Sequence, residues 1–109
     1  MLEIELYQPI QSFLNEQGYT VRGEIGAIDV FAMKNEHSIA VELKTSISLK
    51  LIYQAVERQK VADTVYVAVP KSAIRTHQDS YKSFILLLRR LSIGLFVIHA
   101  DQVEVVLDA

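Results

Sequence analysis

Apolar and polar positions along this chain of 109 residues switch between two periods, and each period predicts an element. Over residues 5–16, Leu6, Ile10, Phe13 and Leu14 recur at helical spacing, and Gly18 offers a C-terminal stop. Pro9 suits a first helical turn, where its missing N–H is not needed; otherwise it kinks a longer helix. Residues 19–24 read as a strand, and Gly23 and Gly26 flank a bend. A second strand follows over residues 27–33, then a polar turn, Lys34-Asn35-Glu36-His37, and a third strand over 38–44.

A second helix is predicted over residues 48–62, with Ser46 or Ser48 as its N-cap. Leu49, Ile52, Tyr53, Val56 and Lys60 form its packed stripe, while Lys50, Gln54, Glu57 and Arg58 share the polar side. The β-branched run Thr64-Val65-Tyr66-Val67-Ala68-Val69 reads as a strand covered on both faces, ended by Pro70. A third helix over residues 79–92 carries Tyr81, Phe84, Ile85, Leu88 and Leu91 on one face, with Gly94 at its exit. Strands at 95–99 and 103–107 form a hairpin around Asp101-Gln102. The order α-β-β-β-α-β-α-β-β predicts one α/β domain over residues 1–109, a mixed sheet with helices packed against it.

Composition narrows the chemistry. There is no cysteine, which removes disulfides, thiolate zinc sites and cysteine nucleophiles. The three histidines fall at 37, 77 and 99 with no ligand spacing, so zinc is not expected. No glycine-rich phosphate loop and no serine elbow are present. Phe84 to Leu88 is the longest apolar stretch, too short for a bilayer, and the N-terminus lacks a signal-peptide core. A cytoplasmic protein without a membrane partner is expected. The net charge of −2 argues against a wholly basic nucleic-acid surface but leaves room for a local groove.

The third strand ends in chemistry. In Ser38-Ile39-Ala40-Val41-Glu42-Leu43-Lys44 the period of two sets Ala40, Glu42 and Lys44 on one face. An acid there bears a desolvation cost unless it is paired or binds an ion. Asp29 sits one hairpin earlier in Ala27-Ile28-Asp29-Val30-Phe31. Two carboxylates from adjacent strands can converge on one divalent cation, with the Leu43 backbone carbonyl as a further ligand. Lys44 would orient an attacking water or offset developing negative charge. The simpler reading is a strand-end ion pair between Glu42 and Lys44, with Asp29 at a strand edge and the polar helix face merely solvated.

Glu5, Glu24, Asp29, Glu42-Leu43-Lys44 and Gln54, in this element order, resemble the PD-(D/E)XK nuclease superfamily. Gly18-Tyr19, Gly23-Glu24, Asp29-Val30, Val41-Glu42-Leu43-Lys44, Tyr53-Gln54-Ala55 with Arg58, and Val65 to Pro70 look like an uncharacterised bacterial family described as PD-(D/E)XK phosphodiesterases. The likeness spans residues 5–70, and Ile28 stands where the motif has proline.

The resemblance implies a restriction-endonuclease-like α-β-β-β-α-β core and Mg²⁺- or Mn²⁺-dependent cleavage of phosphodiester bonds in DNA. It implies Asp29 and Glu42 as metal ligands, Lys44 as the catalytic lysine and Gln54 as an accessory catalytic residue. Glu5 and Glu24 would be accessory acids, and Lys50 and Arg58 would face nucleic acid. A homodimer, or a protein partner supplying DNA recognition, is expected for so short a chain. Archaeal-type Holliday-junction resolvases show a similar order of Glu5, Asp29, Glu42 and Lys44. A nuclease fold kept only for binding is the reading from outside enzymology.

Overall fold

A computed structural model of the chain describes residues 2–23, 26, 28–74 and 78–109. Three helices, α1 (Ile4–Glu16), α2 (Leu49–Arg58) and α3 (Asp79–Leu91), pack on a six-stranded sheet. Its strands are β1 (Thr20–Arg22), β2 (Val30–Lys34), β3 (His37–Leu43), β4 (Thr64–Pro70), β5 (Gly94–His99) and β6 (Gln102–Leu107). They lie side by side in chain order, β1-β2-β3-β4-β5-β6. The β3–β4 and β4–β5 pairs are parallel, and the outer pairs are antiparallel. The element order is the one that the hydrophobic pattern predicts.

The sheet separates two cores. On one face, Leu51, Ile52 and Ala55 of α2 and Phe84 and Leu88 of α3 pack on Ala40, Val65, Val67, Val69, Leu95 and Val97. On the other, Leu6, Ile10 and Leu14 of α1 pack on Val30, Ala32, Val41, Leu43, Ala68 and Phe96. The central strands are therefore covered on both sides, as parallel strands must be. No helix of the described residues is long and apolar enough to cross a membrane.

Several local readings change. Helix α1 begins at Ile4, so Pro9 lies inside it, buried, past the first turn. Ser48 caps α2: its Oγ accepts from the Leu51 N–H at 3.3 Å. The buried stripe of α2 is Leu51, Ile52 and Ala55, whereas Leu49, Tyr53 and Val56 are exposed. Two apolar stripes compete on this helix, and the sheet takes the one whose neighbours Gln54 and Arg58 tuck in beside it.

Gly94 does not mark the exit of α3. Ser92 makes that turn in the left-handed region, at φ 60°, and Gly94 begins β5 opposite Tyr66. A Cβ on Gly94 would run into the Tyr66 ring. That ring lies stacked on Phe96, with centroids 4.1 Å apart and planes 3° from parallel. The hairpin β5–β6 turns through Ala100 and Asp101, with Ala100 at φ 55°.

Candidate functional site

β2 starts only at Val30 because Asp29 leaves the ladder. Its Oδ2 accepts from the Leu43 N–H at 2.9 Å, a side chain standing where a strand carbonyl would. Val30 pairs with Val41, so one more step of that antiparallel register sets Asp29 opposite Glu42. The hairpin thus brings the two acids together.

Glu42 is 1% exposed and, with Ser38, belongs to the few buried polar residues described. Its Oε2 accepts from Arg58 Nε at 3.2 Å, across from β3 to the last residue of α2. Burial pushes the Glu42 carboxyl above the ordinary glutamate range, and the negative charge of Asp29 pushes the same way. The Arg58 guanidinium and the Asp29 backbone amide pull it back, without cancelling the rise.

Gln54 lies one helical turn before Arg58 on α2. Its Oε1 is buried and has no hydrogen-bond partner among the described residues. A buried acceptor without a donor costs on the order of 1–3 kcal/mol, so this atom marks a place where a donor is wanted.

Lys44 follows β3. Its backbone N–H donates to the Ala68 carbonyl at 3.1 Å, and its half-exposed side chain reaches toward Glu3, with Nζ 3.9 Å from Oε2. Just beyond, Thr45, Ser46, Ile47, Ser72, Gln78 and Tyr81 line a cavity of about 400 Å³. It lies at the carboxyl ends of the parallel strands β3 and β4, the end of an open α/β sheet where ligands bind.

Of the other sequence candidates, Arg58 joins this group through Glu42, while Glu5 and Lys50 are exposed. Glu5 is exposed and accepts from the Leu2 N–H at 2.7 Å, closing the first turn of its own helix. Lys50 is exposed in the first turn of α2. The Arg58 guanidinium lies against Glu42, its side chain 17% exposed. Glu24 lies outside the described residues. Glu3 was not singled out by the sequence, which offers Glu3 and Glu5 in one helical turn with nothing to rank them.

Among the described residues no three histidines or acids gather as a metal cage. At the hairpin the side-chain donors among the described residues are Asp29 and Glu42. That set suits Mg²⁺, which keeps several waters and is bound through one or two carboxylates plus substrate oxygens. In an extended strand the amide and carbonyl of one residue face the same neighbour, so the Leu43 carbonyl lies on the Asp29 side. The chain matches no protein-family model, no curated protein and no solved structure.

Proposed function

We propose that this chain is a metal-dependent nuclease or phosphodiesterase of restriction-endonuclease-like design, cleaving phosphodiester bonds in DNA. One observation carries the reading. Asp29 sits on the Leu43 amide, next in the chain to Glu42, and Glu42 is buried, so the β2–β3 hairpin holds a carboxylate beside a buried one. Two adjacent carboxylates, one of them buried, are held at a cost that a divalent cation relieves.

Asp29, Glu42 and the Leu43 carbonyl would hold the ion. The cation, when bound, supplies Lewis-acid stabilisation of charge on the phosphodiester oxygens. Lys44, at the strand end beside the cavity, would contact the phosphate or its attacking water, since its ammonium is a mobile point charge 3.9 Å from one exposed acid. Gln54 offers its unused Oε1 as an acceptor on the Glu42 face.

The test is cleavage of linear duplex DNA with Mg²⁺ or Mn²⁺. Asp29→Asn and Glu42→Gln should each fall to the metal-free background while far-UV circular dichroism is unchanged. Cleavage at the wild-type rate by either variant would defeat the reading.

A second reading has one observation in its favour. Arg58 already gives Glu42 a cationic partner, so the acid is not left alone without a metal. A nuclease fold serving only as a binding module would keep that ion pair and take up no Mn²⁺ at Asp29.

A further inference from the structure

Helix α2 shows a second apolar stripe to solvent. Leu49 is 55% exposed, Tyr53 61% and Val56 37%. They recur at i, i+4 and i+7, so they stand in one row along a ten-residue helix about 15 Å long. Lys50 and Glu57, seven residues apart, flank the row along one edge, both exposed. Glu57 pairs with Lys60 in the turn just past the helix, Nζ to Oε2 at 2.8 Å, but both side chains stay more than half exposed.

We infer that a second copy of this chain docks on the row, α2 packing antiparallel on α2 about a two-fold axis at Tyr53. The charge pattern selects this occupant and this orientation. A two-fold axis normal to the two helices keeps each edge of the row on the same side of the seam. Lys50 then meets Glu57 of the other copy twice, Leu49 meets Val56 twice, and the two Tyr53 rings meet at the axis. Lys60 falls opposite the uncharged stretch Ser46-Ile47. A parallel pairing, with its two-fold axis along the helices, would carry the charged edges of the two copies to opposite sides of the seam and give Lys50 and Glu57 no partner across it. Tyrosine at the centre of such a seam brings a large amphipathic contact area.

One ten-residue helix against its copy covers less than the roughly 1,200 Å² of a standard interface, so association is concentration-dependent. The inference does not depend on the nuclease reading, because it uses only the outer face of α2.

Sedimentation velocity over a concentration series tests it. The full chain should move from one 12.3 kDa species toward twice that mass as concentration rises. Lys50→Glu and Glu57→Lys should each weaken dimerisation at least about tenfold, since each sets like charges across the seam twice. The double variant Lys50→Glu/Glu57→Lys should recover dimerisation to within about threefold of the original, because the cross-seam pairs are restored with sign reversed. Tyr53→Glu should leave a monomer with unchanged circular dichroism. A chain that stays monomeric at millimolar concentration overturns the inference. So do single variants that dimerise normally, or a double variant that remains as weak as the singles.

Discussion

Arg58 Nε stands 3.2 Å from Glu42 Oε2, joining the last residue of α2 to the sixth residue of β3. The carboxylate is nearly sealed from water and the guanidinium is 17% exposed on its side chain. Breaking such a pair from one side leaves a buried charge alone. Arg58→Met should therefore lower stability by about 3 kcal/mol in urea titrations at neutral pH. Adding Glu42→Gln to Arg58→Met should recover part of that loss, as the orphaned charge is gone. Equal stabilities of the wild type and Arg58→Met would show that the pair is not formed in solution.

The same carboxyl gives a pH signature. Its folded pKa lies above the ordinary 4.5, through burial first and the Asp29 charge second. As pH rises from 4.5 the unfolded chain ionises at this position before the folded one. The folded state then binds more protons, so the Glu42 contribution to stability falls with rising pH until the folded pKa is passed. Stability curves of wild type and Glu42→Gln should diverge over that window, with the wild type losing ground as pH increases. Under the proposed metal-dependent reading, metal uptake should follow the opposite trend, because a cation would have to displace the proton. Mn²⁺ affinity by calorimetry should rise with pH through the same window and then level off. Parallel stability curves, or a flat Mn²⁺ profile, would contradict this.

Asp63 behaves in the reverse sense. Its Oδ2 accepts from the Ser38 N–H at 2.8 Å and from the Ser38 Oγ at 3.1 Å. Its own N–H donates to Ser38 Oγ at 2.9 Å. This reciprocal lock ties the beginning of β3 to the turn before β4 and holds the Asp63 carboxyl below its ordinary 3.8. Its stabilisation is present above 3.8 and is lost as pH falls through the folded value. Asp63→Ala should lower the melting temperature at neutral pH and show a shallower acid limb than the wild type. An unchanged acid limb would mean that Asp63 is not held this way.

Gly94 has no room for a side chain. A Cβ there would strike the Tyr66 ring and the Ala109 backbone. Gly94→Ala should cost about 1–3 kcal/mol, the range of an overpacked core, by forcing Tyr66 off Phe96. Combining it with Tyr66→Ala should cost less than the sum of the two single changes. Strict additivity would place the strain elsewhere.

Element types and their order were legible because the strands carry β-branched runs and the helices carry rows three and four apart. Element faces were not always legible. Helix α2 has Leu51, Ile52 and Ala55 on one side and Leu49, Tyr53 and Val56 on another, and periodicity accepts either stripe as core. The choice falls to a tertiary partner, Glu42, which draws Arg58 inward. The start of β2 was obscured for a similar reason. Ile28-Asp29-Val30 reads as strand by pattern, yet Asp29 spends its carboxylate on the Leu43 amide and bends the chain. At the candidate site, the neighbouring acids follow from a short turn and a register, both visible in the sequence. The Arg58 contact and the Lys44–Glu3 approach span elements far apart in the chain, and no local pattern encodes them.

Anomalous diffraction from crystals grown with Mn²⁺ tests most directly whether Asp29 and Glu42 share a cation. A difference peak between the two carboxylates, absent from crystals of Asp29→Asn, is the predicted result. Ordered carboxylates with no peak between them, and Glu42 still held by Arg58 at saturating Mn²⁺, would contradict a metal-dependent nuclease.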